Sequence, residues 1–181
     1  MKNSATIILI LAFALTIVSS CKKSDDNNDD DNNNKLPDAV FSMNVSGVES
    51  QTVNFTLPGN VASDYATNGA LISDQDMFTM NASALPITWM LGLAAELSAI
   101  ETGTYSLRQG VSAYTSPSQT SGYIAVSGTL TISKADLYQG VSSIKDWFID
   151  GTYSGIYQDN SNPPNQVTIT GSFSGINIKA Q

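Results

Sequence analysis

From Val40 onward the chain alternates apolar and polar positions with a period of two. Phe41, Met43 and Val45 alternate with Ser42, Asn44 and Ser46, and Val53, Phe55 and Leu57 with Thr52, Asn54 and Thr56. Phe78, Met80 and Ala82 are spaced by Thr79 and Asn81; Tyr105 and Leu107 lie between Thr104, Ser106 and Arg108. Successive strand side chains point to opposite faces, so this alternation predicts strands with one face buried and one in water. Three further runs follow: Ile124, Val126, Leu130 and Ile132; then Trp147, Ile149, Tyr153 and Tyr157; then Val167, Ile169 and Phe173. Between the last two, Asp159-Asn160-Ser161-Asn162-Pro163-Pro164-Asn165 predicts a hairpin loop.

Residues 87–100 carry two patterns. Ile87, Trp89, Leu91 and Leu93 alternate as a strand, whereas Trp89, Leu93, Leu97 and Ile100 share one face of a helix with Pro86 near its start. We take a strand to Leu93 and a short helix or loop over 94–100. The expectation is an all-β domain, an antiparallel sandwich or closed barrel of about eight or nine strands with at most one short helix. Gly128, Gly151, Gly155, Gly171 and Gly175 fall in register with the apolar positions, on the face expected to point inward. Inward glycines imply strongly coiled strands, and either close packing or a cavity.

The first 37 residues follow a different pattern. Residues 5–18 form an uncharged, largely apolar run after Lys2, short for a membrane span of about 20 residues and suited to a cleavable signal. The run ends in Val18-Ser19-Ser20-Cys21, similar to a bacterial lipobox, in which the cysteine is lipidated and becomes the new N-terminus. Two or more acyl chains on Cys21 anchor a protein stably. Lys22-Lys23 and the Asp/Asn run to Asn34 then predict a solvated tether. The organisation expected is a signal peptide over 1–20, the lipidated cysteine and tether over 21–37, and the β domain over 38–181.

Composition narrows the chemistry. The 181 residues include no histidine and the single cysteine Cys21, which removes a serine–histidine–acid triad and a thiolate or zinc cluster. Acidic residues outnumber basic ones 16 to 8, so a nucleic-acid partner is excluded on electrostatic grounds. Paired carboxylates hydrolyse glycosides, but the domain's Asp and Glu residues show no spacing that marks a catalytic pair. Asp159, Asn160 and Asn162 offer oxygens to a cation, yet they are also what a turn prefers. No enzyme activity, cofactor or metal is expected.

Aromatic residues are the remaining candidates. Trp147, Tyr153 and Tyr157 share one strand face with Gly151 and Gly155, an arrangement that suits a sugar ring or an apolar ligand. Trp89 joins them as a candidate. Since Asp150, Thr152 and Ser154 occupy the opposite face, the simpler reading makes the aromatic face the core.

The lipobox with its Asp/Asn tether, Phe-Ser-Met-Asn-Val-Ser-Gly at 41–47, Thr-Gly-Thr-Tyr-Ser-Leu at 102–107 and Ser-Gly-Thr-Leu-Thr-Ile-Ser-Lys at 127–134 resemble small Bacteroidota lipoproteins of unknown function. The closing pair, Gly-Thr-Tyr-Ser at 151–154 and Val-Thr-Ile-Thr-Gly-Ser-Phe at 167–173, extends the likeness. The resemblance implies an all-β domain anchored by lipid in the outer membrane. Lysines and acids directly after the cysteine resemble the signal that sends such lipoproteins to the cell exterior. No site residues come with it. The partners expected are the membrane, through the lipid, and an envelope protein or glycan. The functional expectation is a non-catalytic binding or structural domain. The alternatives are a barrel carrying a small apolar or glycan ligand and, last, an Asp/Glu glycosidase.

Overall fold

The computed structural model describes residues 36–60, 65–72, 75–84, 89–116, 122–138 and 145–180. The signal segment, Cys21 and the tether as far as residue 35 lie outside the described residues, as does Ile87. The described chain forms β1 (Ala39–Gly47), β2 (Gln51–Leu57), β3 (Tyr65–Ile72), β4 (Met77–Ala84) and β5 (Met90–Glu96). It continues through β6 (Gly103–Ser106), β7 (Ala113–Thr115), β8 (Tyr123–Tyr138), β9 (Lys145–Gln158) and β10 (Gln166–Ala180). The fold is all-β, as the alternation requires.

Seven of these strands close into a barrel in the order β3-β4-β5-β7-β8-β9-β10, with β10 returning to β3. Sharing of strand edges makes the closure possible. On one edge β10 pairs with β9 along its length; on the other it pairs with β1 through 167–174 and with β3 through 178–180. Long β8 does the same, with β9 on one edge and β6 and β7 dividing the other. The β10–β3 seam is parallel, and Gly69 lies in it; a Cβ there would collide with the Ile178 side chain and the Thr79 carbonyl.

The described residues form ten strands where about eight or nine are expected. The two that alternation did not reveal are β3, whose Asn68-Gly69-Ala70 interrupts any apolar rhythm, and β7, which has three residues. The expected short helix or loop after Leu93 is also revised. β5 runs to Glu96, and residues 97–100 form a loop with no α-helix. The neighbours decide this: Ala94 and Ala95 pair with Thr79 and Phe78 of β4. On the other side the Ala94 N–H donates to the buried Ser112 Oγ at 2.9 Å, and the Ala94 carbonyl accepts from the Arg108 N–H at 2.7 Å. A ladder on both edges satisfies these backbone groups as well as a helix would, and it also buries the apolar side chains.

One stretch of β8 is out of phase with the expectation. The alternation predicts Ile124 and Val126 inward, but Tyr123 and Ala125 are buried while Val126 is 37% exposed. A register shift between Ala125 and Ser127 adds one residue and returns Leu130 and Ile132 to the core. A bulge inverts the side-chain phase on one side of itself, which a simple period of two does not show.

Candidate functional site: the barrel wall and its two faces

The four aromatic candidates all belong to the interior. Tyr157 is 0% exposed, Tyr153 3% and Trp89 4%, and Trp147 is half-buried against the same core. Phe41 stacks on Phe55 at 5.2 Å, on Tyr153 at 5.9 Å and on Trp89 at 6.3 Å between ring centroids, tying β1 and β2 to the far wall. Such contacts add to plain area burial because offset rings attract one another. The rings of Trp89, Tyr153 and Tyr157 are buried within the hydrophobic core.

The inward glycines are seats for those rings. Tyr153 lies directly across from Gly171, and Phe173 directly across from Gly151. A Cβ on Gly171 would come within 2.5 Å of the Tyr153 ring, one on Gly151 within 2.6 Å of Phe173, and one on Gly155 within 2.8 Å of Tyr157. The choice between close packing and a cavity is therefore settled beside these glycines. Rings fill the space.

Two tyrosines on this face differ in their hydroxyls. The Tyr153 hydroxyl donates to the Ser42 carbonyl at 2.8 Å, whereas that of Tyr157 is buried with no hydrogen-bond partner. Burial pushes both phenols well above their ordinary range. At another place in the core Tyr114 and Tyr123 stack at 6.1 Å and send their hydroxyls to Gln51 and Glu49. Desolvation, reinforced by the Glu49 charge, raises Tyr123 to about 12. These phenols stay neutral across physiological pH and serve packing.

The loop after β9 is organised by one carboxylate. Asp159 Oδ1 accepts from the Ser161 N–H at 3.0 Å, the Ser161 hydroxyl at 2.5 Å and the Asn165 N–H at 2.9 Å; Oδ2 accepts from Asn165 Nδ2 at 2.8 Å. The side-chain bonds from Ser161 and Asn165 hold its carboxyl down at about 2. The turn's own donors occupy both oxygens, and no cluster suited to a metal occurs among the described residues.

The outer face of the wall has two zones. In the first, cross-strand partners form two rows of uncharged polar side chains. One runs Asn54, Ser42, Ser172, Thr152, Thr131, Thr104, and the other Thr52, Asn44, Thr170, Ser154, Thr129, Ser106, each crossing β2, β1, β10, β9, β8 and β6. Neighbours within them pair, as between the hydroxyls of Ser42 and Ser172 at 2.8 Å and of Thr104 and Thr131 at 3.0 Å. The rows end where β8 shifts register between Ile132 and Lys134 and β10 between Phe173 and Ile176.

Beyond those bulges lies the second zone, a groove of about 320 Å³ between the chain entering β1 and the outer faces of β8, β9 and β10. Phe148 forms part of its lining and meets Tyr138 edge-on at 5.8 Å. Although it points outward by strand parity, Phe148 is only 7% exposed because the groove walls stand around it. Asp38, Asp136, Asp150 and Lys134 supply the charges. Gly175, in the left-handed region at φ 65, makes the β10 bulge and turns its N–H onto Asp150 Oδ1 at 2.7 Å; the Ser174 hydroxyl donates to the same oxygen at 2.8 Å. The Asp38 Oδ1 accepts from the Gly59 N–H at 2.9 Å, and Lys134 pairs with Asp136.

Of the groove residues the sequence singles out Asp150, expected to face solvent, and Gly175, expected on the inward face; the β10 bulge between Phe173 and Ile176 breaks that register and puts Gly175 in the groove lining instead. The available signal was Phe148, an apolar residue at an outward position that breaks the alternation of β9. Comparison with protein-family models, curated proteins and solved structures gives no match to this chain.

Proposed function

We propose that this chain is a lipid-anchored protein of the cell envelope, held in the outer membrane by Cys21 and facing the exterior, whose β domain binds or supports a partner without catalysing a reaction. The observation that carries the reading is the ring-filled space beside the inward glycines. It favours contact through the outer wall over a ligand enclosed in the barrel. The neutral Ser/Thr/Asn rows and the groove beside them are the surfaces on offer. The Val18-Ser19-Ser20-Cys21 run and the Asp/Asn tether support the anchor, and the tether's length supports a domain standing clear of the membrane.

Anchoring is tested by fractionating cells that make the parent chain or Cys21→Ser after labelling with radioactive palmitate. The parent should carry label and sediment with outer membranes, and Cys21→Ser should do neither. Membrane retention of the unlabelled variant would refute the anchor. Protease added to intact cells should degrade the domain, and full protection would place it on the inner side.

A further inference from the structure

We propose that the free edge of β2 is an interface between two copies of this chain, which pair antiparallel there and continue one sheet across a two-fold axis at Asn54. The pairing depends on β2 and not on the lipid at Cys21.

β2 ends the sheet. β1 lies along one of its edges, and no strand lies along the other among the described residues. In an antiparallel strand every second residue turns its N–H and C=O to a given edge, so β2 offers a row of donors and acceptors that another strand can complete. Proteins commonly blunt such an edge with charge, proline, a bulge or brevity. β2 has none of these. Its seven residues, Gln51–Leu57, include no charged side chain and no proline, and they pair with β1 without a register shift. The opposite end of the sheet differs: β6 has four residues, and the chain leaving it bridges β5 through Leu107 and Ala95.

The core is also least sealed at β2. Phe55 at 8% and Val53 at 7% are the most exposed members of the core cluster, although both face inward. A strand laid along this edge covers them.

The residues of β2 select a second copy as the occupant. With the axis at Asn54, all seven find a partner: Asn54 meets the partner's Asn54, Val53 the partner's Phe55, Thr52 the partner's Thr56 and Gln51 the partner's Leu57. Moving the axis leaves residues at the ends unpaired. Side chains directly opposite lie on one face, so the Val53–Phe55 pairs fall inward while Asn54, Thr52 and Thr56, all exposed in the single chain, fall outward. Each Asn54 carboxamide both donates and accepts, so the two can bond across the axis. Charge points the same way. With 16 acidic residues against 8 basic ones, two copies repel over much of their surface, and an uncharged strand is where they can approach.

The test uses the full-length chain in nonionic detergent and analytical ultracentrifugation. The parent should pass from monomer to dimer as its concentration rises. Asn54→Lys brings two ammonium groups together at the axis and should raise the dissociation constant by about tenfold or more. Thr104→Lys, an exposed change on β6, should leave it unchanged. On intact cells a short bismaleimide should join two copies of Asn54→Cys but not two copies of Ser172→Cys, which lies on β10 inside the sheet. Cys21 is common to all these chains, so a crosslink through it would appear in the parent as well. The crosslink reads the interface independently of how Asn54→Lys folds. A parent that stays monomeric at every concentration, equal constants for Asn54→Lys and Thr104→Lys, or no dimer from Asn54→Cys would overturn the proposal. Palmitate labelling of Cys21 is read separately, so the anchored-domain reading stands or falls on its own.

Discussion

The inner and outer faces of β9 and β10 are built from neighbouring residues of the same strands, yet they do opposite things. Inward, Gly151, Gly155 and Gly171 alternate with Tyr153, Tyr157 and Phe173, and each ring lies over a glycine across or along the strand. Outward, Thr152, Ser154, Thr170 and Ser172 are exposed, and the Ser172 hydroxyl shares a hydrogen bond with that of Ser42 on β1 at 2.8 Å. The inner face has tight tolerances because a close-packed interior yields little to added or deleted atoms. The outer face is freer to vary. A wall this thin can keep a packed face and a polar face apart because the side-chain period is two.

The largest test of that contrast is Tyr153→Ala. It removes a stacked ring and its hydrogen bond to Ser42, and should lower stability by about 3–5 kcal/mol in urea denaturation. A loss below about 1 kcal/mol would mean the inner face is not packed as described. Next comes Gly171→Ala, whose new methyl meets the Tyr153 ring and the Ser42 carbonyl and should cost about 1–3 kcal/mol. Its outward neighbour is the control: Ser172→Ala should cost about 0.2–1 kcal/mol. Equal effects at the two sites would erase the difference between the faces.

The two tyrosines sharpen the comparison within the inner face. Tyr153→Phe should lose about 1 kcal/mol with its hydrogen bond, while Tyr157→Phe should gain a similar amount by removing a buried hydroxyl that has no partner. Thermal melts of the two variants should move in opposite directions.

The smallest effect concerns the loop that sets which residue falls on which face. In the folded chain Asp159 titrates at about 2, below its ordinary 3.8, so its contribution is complete above about pH 4 and is lost as the pH falls through about 2. Asp159→Asn should therefore unfold at lower urea than the parent at pH 6, and the gap should close toward pH 2. A gap independent of pH would show that the carboxylate charge is not what holds the turn.

Much of this wall was legible in advance. The alternation of Phe41, Met43 and Val45, or of Tyr153 and Tyr157 with Thr152 and Ser154, assigns the buried face directly. The turn from Asp159 to Asn165 is written in its residue types, and β9 and β10 resume pairing on either side of it at Gln158 and Gln166. Trp147, Tyr153 and Tyr157 share one strand face in the sequence, with Trp89 beside them as a candidate; the polar residues opposite point that face inward, where Trp89, Tyr153 and Tyr157 are buried and Trp147 is half-buried. The groove was not legible. Its carboxylates come from the approach to β1 and from the paired strands β8 and β9, roughly a hundred residues further along the chain, and nothing local distinguishes Asp136 or Asp150 from any solvated acid.

The sequence by itself determined an all-β chain, the faces of most strands and the position of the hairpin loop, because each of these depends on residues within a few positions of one another. Tertiary structure alone decided the closure of β10 onto β3, the strand at Ala94–Glu96 and the outward turn of Val126. It also decided the meeting of Asp38, Asp136 and Asp150 around Phe148. Each of those depends on where a distant strand offers a free edge, or on a single extra residue that inverts the phase of a strand, and neither is a property of local periodicity.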